Sequence, residues 1–179
     1  MSHKNKRNTK YTTGRSKTGR ILNKSPNDTA HEFRKALAYH QAGQFDAAEK
    51  EYRKILETHP NHPDTLHFLG VLSHQSGKKD IAAEMIKKAI RIRPDRPNYH
   101  TNLGIVFQEQ GELEKAIACY RSALEINPEF AEAYNNMGFA LQDQRKFAEA
   151  ISNYQKAVHL KPNYTEAYNN LGTAFKDCG

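Results

Sequence analysis

Three asparagines, Asn102, Asn136 and Asn170, recur at a constant interval along the chain, and their side chains could bind the backbone of a peptide. An asparagine amide carries two N–H donors and one carbonyl acceptor, so it can pair with both polar groups of a main chain. If the three amides lie in one row, they could hold an extended peptide whatever its side chains. The alternative is that each amide bonds across to the next repeat and stiffens the array. Weaker candidates for the same surface are Thr101, Asn135 and Asn169, each directly before one of the three asparagines, and His67, which lies at the same interval before Thr101.

Other reactive residues are not spaced for catalysis or metal binding. Four histidines lie close together in the sequence: His59, His62, His67 and His74. The first pair straddles a predicted loop and no cysteine or carboxylate completes a ligand set, so we expect no metal site. The sequence shows no nucleophile with its base, no phosphate-binding glycine loop and no paired-carboxylate motif. We therefore expect a protein that is not an enzyme and that needs no cofactor.

The interval that separates the asparagines runs through most of the chain, which is therefore an array of one repeated unit. Prolines mark it at four places: Pro60, Pro94, Pro128 and Pro162. A small residue recurs in phase with them: Ala36, Gly70, Gly104, Gly138 and Gly172. In four units an alanine stands one helical turn before a larger side chain, in the pairs Ala48 and Tyr52, Ala82 and Ile86, Ala116 and Tyr120, and Ala150 and Tyr154.

Each unit is predicted to contain two amphipathic helices, because its apolar residues fall at helical spacing, as in Tyr99, Leu103 and Val106. A glycine that can adopt the left-handed conformation separates the two helices in three units: Gly43, Gly77 and Gly111. Arg145 breaks this pattern, so either it adopts that conformation at a cost of roughly 1 kcal/mol or the turn differs there. A glycine inside a helix costs about 1 kcal/mol relative to alanine, so the four internal glycines are predicted to pack against a neighbouring helix.

The pattern resembles the tetratricopeptide repeat, in which an aromatic, Leu-Gly, a second aromatic, Ala-x-x-x-Phe and a closing proline recur with a period of about 34 residues. The resemblance implies an all-α fold, a right-handed superhelical solenoid of antiparallel helix pairs whose first helices line a concave groove. Its units would be residues 29–62, 63–96, 97–130 and 131–164, followed by the first helix of a fifth unit in residues 165–179. We therefore expect a scaffold that binds extended peptide or protein segments in this groove.

Two segments, AEAYNNMG at 131–138 and TEAYNNLG at 165–172, are similar to the repeat arm of O-GlcNAc transferases. That resemblance implies that the three asparagines contact peptide, and it leaves open a second function, the substrate-recruiting arm of a larger glycosyltransferase or sulfotransferase. The co-chaperone clamp, which grips a peptide carboxylate, is not favoured. Its slots would hold Asn102 among neutral or acidic residues, with no lysine or arginine to pair the carboxylate.

Residues 1–28 are predicted to form a disordered basic tail. Residues 1–27 carry eight of the 27 basic residues and no acid, although the formal net charge of the whole chain is only +7. Weak contact with nucleic acid or anionic lipid is one interpretation; a solubilising leader and a transit peptide are the others.

The location and self-association of the chain are further predictions. The chain lacks an apolar run long enough to span a membrane, and its two cysteines form no short-spaced motif, which favours a reducing, cytoplasmic location. The last predicted helix keeps the apolar residues Tyr168, Leu171 and Phe175 but has no partner helix after it. We therefore expect the array to continue in a longer parent chain, or this strip to dock on a partner or a second copy.

Overall fold

The computed structural model describes residues 26–179, and these form nine α-helices without a strand. The helices are α1 Pro26–Gln41, α2 Phe45–Thr58, α3 Pro63–Gln75, α4 Lys79–Ile92, α5 Pro97–Glu109, α6 Leu113–Ile126, α7 Ala131–Asp143, α8 Phe147–Leu160 and α9 Thr165–Cys178. The first helix begins one turn before the predicted start at Thr29. Most of the predicted basic tail lies outside the described residues.

The helices pack in consecutive pairs, and each pair packs against the next. The extensive contacts lie within the pairs α1 with α2, α3 with α4, α5 with α6 and α7 with α8, whereas α9 packs on α8. Smaller contacts join the first helices of successive pairs, α3 to α5, α5 to α7 and α7 to α9. The predicted all-α solenoid of helix pairs is confirmed, and the first helices of the repeats form one of its faces.

The recurring alanine and the larger side chain that follows it fill the core of the solenoid. The four alanines Ala48, Ala82, Ala116 and Ala150 and their partners Tyr52, Ile86, Tyr120 and Tyr154 are all fully buried. In the repeats with an internal glycine, the large side chain lies directly on that glycine. A Cβ atom at Gly138 would lie 2.8 Å from Cε1 of Tyr154, and one at Gly70 would lie 2.7 Å from Cγ1 of Ile86.

The prediction that all four internal glycines are packing residues is wrong for Gly172. A Cβ atom there would meet nothing within 4 Å, whereas Gly70, Gly104 and Gly138 each face a side chain of the second helix of their repeat. The physical reason is that α9 is the last helix of the described residues, so no following helix lies against it. The same gap leaves Phe175 half exposed.

The turn inside each repeat is left-handed in all four complete repeats. The φ angles are +72° at Gly43, +75° at Gly77 and +78° at Gly111, and Arg145 adopts the same conformation with a φ of +61°. The turn therefore does not change at Arg145, and the chain accepts the steric cost of a side chain in that region.

Candidate peptide-binding groove

Two pockets follow one another on the face that the first helices form. The larger, about 360 Å³, lies between α5 and α7 and is lined by Ile105, Gln108, Glu109, Asn136, Phe139 and Asp143. The second, about 280 Å³, lies between α3 and α5 and is lined by Val71, His74, Gln75, Ile86, Asn102, Ile105 and Val106. We call them the α5–α7 pocket and the α3–α5 pocket, and the surface that they share is the groove.

The two pockets are built from matching positions of successive repeats. Asn102 in the α3–α5 pocket corresponds to Asn136 in the α5–α7 pocket, and Ile105 corresponds to Phe139. Ile105 lines both pockets, so the groove is continuous from one to the other. The structure therefore brings two of the three predicted asparagines to successive, similar depressions.

The amides of the asparagine row differ in whether the neighbouring repeat already binds them. The amide of Asn102 donates to Nε2 of His67 at 2.8 Å, and the amide of Asn170 donates to Oδ1 of Asn135 at 3.0 Å. In both bonds the asparagine of one repeat binds the residue that directly precedes the row in the preceding repeat. The corresponding partner of Asn136 is Thr101, whose hydroxyl donates to the carbonyl of Pro97 in its own helix at 3.1 Å.

Asn136 is consequently the one amide of the row without a hydrogen-bond partner within residues 26–179. Its side chain is partly exposed and lines the larger pocket. The alternative that the amides stiffen the array by bonding to a neighbouring repeat therefore holds for Asn102 and Asn170, each through its amide nitrogen. It does not hold for Asn136. All three residues stay partly exposed, and two of them, Asn102 and Asn136, line the pockets of the groove.

Three of the four weaker candidates lie inside the stack. His67 and Asn135 are 1% exposed and Thr101 is 4% exposed, whereas Asn169 is exposed on α9. The ring of His67 stacks on Tyr99 with a centroid distance of 4.3 Å. Burial lowers the pKa of His67 to about 4, which keeps the imidazole neutral and able to accept the bond from the next repeat.

Asn135 is held on two sides. Its amide donates to Oε1 of Glu166 at 3.1 Å while its carbonyl oxygen accepts from Asn170. His67 and Asn135 therefore hold successive repeats in register, whereas Thr101 bonds within its own helix. Whether any of the seven predicted residues contacts a ligand stays a prediction.

A second row of polar contacts crosses every junction between first helices along the groove. The pairs are His40 with Gln75 at 3.2 Å, His74 with Glu109 at 3.0 Å, Gln108 with Asp143 at 3.2 Å and Gln142 with Asp177 at 2.6 Å. The core supports this row, because the hydroxyls of Tyr120 and Tyr154 donate to Gln108 and Gln142. The row places three carboxylates along one edge of the groove.

The charge on that edge differs between the two pockets. Glu109 is paired with His74 and, at 3.3 Å, with Lys79; although partial burial opposes it, these partners hold the pKa of Glu109 below its ordinary value. Asp143 accepts a bond from the neutral amide of Gln108, and no cationic group of the described part of the chain is paired with it. Neither pocket is lined by lysine or arginine.

The sequence reasoning missed the apolar and acidic walls of the pockets. Ile105 and Glu109 follow Asn102 by one and two helical turns, and Phe139 and Asp143 follow Asn136 in the same way. Residues at these spacings share one face of a helix, so the asparagine row itself could have pointed to them. The exposure of Phe139 could not be read in this way: only the structure shows that this large aromatic residue is 48% exposed.

The fold and the groove define a helical-repeat solenoid with a binding surface on the first helices of its repeats. Three family models match this array, described as "TPR repeat" over residues 106–145 and as "Tetratricopeptide repeat" over residues 131–164 and 39–103. Together they span most of the chain. The chain belongs to the tetratricopeptide repeat proteins.

Solved structures with this fold agree with the assignment. A MamA protein is 26% identical with a TM-score of 0.73, and the match covers 87% of this chain and 85% of MamA. PilF of Pseudomonas aeruginosa is 22% identical with a TM-score of 0.78, with 84% and 68% covered. The first repeat domain of Spaghetti (RPAP3), solved with the HSP90 peptide SRMEEVD, is 25% identical with a TM-score of 0.63, with 65% and 92% covered. No curated protein matches the chain.

Two further observations concern the described residues as a whole. None of their helices is long and apolar enough to cross a bilayer. Within residues 26–179, no cluster of three or more histidine, cysteine, aspartate or glutamate side chains is arranged to hold a metal ion.

Proposed function

We propose that this protein is a non-catalytic scaffold that binds an extended peptide along the groove of its first helices. The observation that carries the proposal is the tandem arrangement of the two pockets, which repeat the same residue positions and share Ile105. An extended chain advances by about 3.3 Å per residue, so a short peptide can place side chains into successive depressions. The likeness to a repeat domain solved with a bound peptide supports the same use.

In this proposal the asparagine row binds the peptide backbone, and Asn136 is its central member. The amide of Asn136 has no partner in the described part of the chain, so it can donate and accept toward a ligand without breaking a bond of the stack. Asn102 and Asn170 each keep a carbonyl oxygen for a peptide N–H, because their amide nitrogens donate to the preceding repeat. The row therefore combines one free amide with two oriented ones.

Peptides selected from a phage-displayed random dodecapeptide library against the full chain would test the proposal. The best peptide would then be titrated by calorimetry into the wild type, Asn136→Ala, the triple variant at 102, 136 and 170, and Asn153→Ala. Asn153 lies partly exposed on the second helix α8 and lines neither pocket, so it is the matched control. One lost hydrogen bond is worth about 0.5–1.5 kcal/mol, so we expect Asn136→Ala to weaken binding roughly two- to tenfold.

The triple variant should weaken binding further and retain the helical circular dichroism of the wild type. Selection of no peptide above background would contradict the proposed function. Equal affinities for Asn136→Ala and Asn153→Ala would exclude the asparagine row from the binding site and leave the groove as the proposed surface.

The second candidate, the recruiting arm of a larger transferase, stays a sequence-based hypothesis. The matching family models describe the repeats, and nothing in them favours a transferase. A cytoplasmic location remains part of the proposal. It accords with the two free cysteines, since burial raises the pKa of the Cys119 thiol to about 11 and keeps it unreactive.

Two contacts outside the groove also stay hypotheses. The basic residues before Pro26, which could touch nucleic acid or anionic lipid, lie outside the described residues. Self-association through α9 is supported by the exposure of Tyr168 and Phe175, which are 49% and 52% exposed on the face that a following helix would cover.

A further inference from the structure

We propose that the α5–α7 pocket receives a lysine or arginine side chain of the bound peptide. This inference rests on the proposed function, because it names the side chain that the groove selects once a peptide backbone lies along it. The asparagines bind only the peptide backbone and would not select a side chain. The pocket adds a preference for basic peptides.

The apolar wall of the pocket suits the stem of a long basic side chain. Phe139 and Ile105 form this wall, and the ring of Phe139 is 48% exposed. The corresponding residues in the other repeats are not aromatic: Leu37, Val71, Ile105 and Thr173. Lysine and arginine bury their methylene stems on apolar surface while the charged end stays hydrated, and a cation near an aromatic face gains further attraction.

The chain already uses this arrangement elsewhere in the array. Lys87 and Lys115 each lie 5.4 Å from the centre of the Phe107 ring. In the described part of the chain no cation is placed in this way over Phe139. The exposed ring in the pocket is therefore free to take a cation from a ligand.

The charges at the two pockets give the strongest argument, because the α5–α7 pocket lacks the basic side chains that stand beside the carboxylate of the α3–α5 pocket. Beside the α3–α5 pocket the carboxylate of Glu109 is paired with the Lys79 ammonium at 3.3 Å and contacts Nε2 of His74 at 3.0 Å. One repeat later Asp143 occupies the position of Glu109, while Gln108 replaces His74 and Leu113 replaces Lys79.

The hydrogen bond that holds a carboxylate at the edge of the pocket is thus kept, whereas the basic side chains found beside Glu109 are replaced by Gln108 and Leu113. Asp143 still accepts from the first helix of the preceding repeat, through Gln108 at 3.2 Å, so its position is set. Glu109 lines the same pocket on the opposite helix, and its pKa is held low, so it is ionised at neutral pH. A cationic group of a ligand would meet one paired and one unpaired carboxylate beside an apolar wall.

The test extends the library selection on the full chain. We expect the selected dodecapeptides to be enriched in lysine and arginine over the unselected library. Asp143→Asn keeps the shape of the side chain and removes its charge, and an exposed ion pair is worth little, so affinity for a selected peptide should fall roughly two- to fivefold at low salt. Phe139→Leu should cause a loss of about the same size.

Glu125→Gln is the matched control, because it removes one negative charge from an exposed position of α6 that lines neither pocket. Replacing the basic residue of the peptide by glutamine should weaken binding to the wild type more than binding to Asp143→Asn, in which only Phe139 and Glu109 remain to contact the cation. Loss of that coupling would refute the assignment.

The outcomes separate the two proposals. Selected peptides without basic enrichment, and equal affinities for Asp143→Asn and Glu125→Gln, would overturn the inference and leave the peptide-binding function standing. Selection of acidic peptides would also overturn it. Failure to select any peptide would overturn both.

Discussion

The substitution Gly104→Ala isolates the contact that the repeat spacing demands between the two helices of one unit. A Cβ atom at position 104 would lie 2.8 Å from Cδ1 and 2.9 Å from Cζ of Tyr120, closer than side-chain carbons normally approach. The ring cannot move aside easily, because Tyr120 is fully buried and its hydroxyl donates to Gln108 at 2.9 Å.

The size of the effect follows from three opposing contributions. Overpacking a core costs about 1–3 kcal/mol, and disturbing the hydroxyl bond adds about 0.5–1.5 kcal/mol. The gain in helix propensity from glycine to alanine returns about 1 kcal/mol. We therefore expect Gly104→Ala to lower the free energy of unfolding by about 2 kcal/mol.

Gly172→Ala is the matched control, because it makes the same chemical change at the same position of the last repeat. A Cβ atom there meets nothing within 4 Å, so only the propensity gain of up to about 1 kcal/mol should remain. Urea unfolding followed by circular dichroism would compare the wild type and the two variants, with a change in the midpoint at an unchanged m-value taken as a change in stability. Unchanged or increased stability for Gly104→Ala, or a loss for Gly172→Ala, would refute the account of the internal glycines.

Two further predictions concern stability and use the same unfolding assay. The pKa of His67 is about 4 in the folded state and about 6.5 in the unfolded chain. The contribution of its neutral ring to the free energy of unfolding should therefore be fully present above pH 6.5, and that free energy should decrease by up to about 3 kcal/mol as the pH falls to 4. His67→Gln should flatten that decrease, and an identical pH profile would contradict it. Arg145 has a φ of +61°, so Arg145→Gly should raise stability by about 1 kcal/mol, whereas Gly111→Ala should lower it by a similar amount. A loss of stability in Arg145→Gly would show that its side chain contributes more than the strain costs.

The helix pairs could be predicted because the residues that form and end each helix lie within the repeat itself. Helical spacing of apolar residues, a left-handed glycine such as Gly77 and a proline after the second helix depend on short-range sterics, which the sequence alone specifies. Arg145 shows the limit of this reasoning. Its residue type disfavours the turn, yet its φ of +61° is close to the values at the glycines of the other repeats.

The candidate site could be predicted only as a surface. A constant repeat interval places the same position of every repeat on the same side of the array, so Asn102 and Asn136 had to share a face. The identity of the free amide could not be predicted in this way, because each amide meets a different residue type in the preceding repeat. His67 binds Asn102 there, whereas Thr101 turns back to Pro97 and leaves Asn136 without a partner in the described part of the chain.

The sequence by itself determined the repeat, its helices and the face on which the asparagines lie, since all three follow from periodicity and local backbone preference. Only the tertiary structure decided which side chains are buried between repeats and which carboxylate has no cationic partner among the described residues. His67 lies in the stack because Tyr99 of the next repeat covers it. Asp143 lacks a counter-ion among the described residues because neighbours from two repeats meet there, and such a meeting depends on how the repeats pack rather than on either repeat alone.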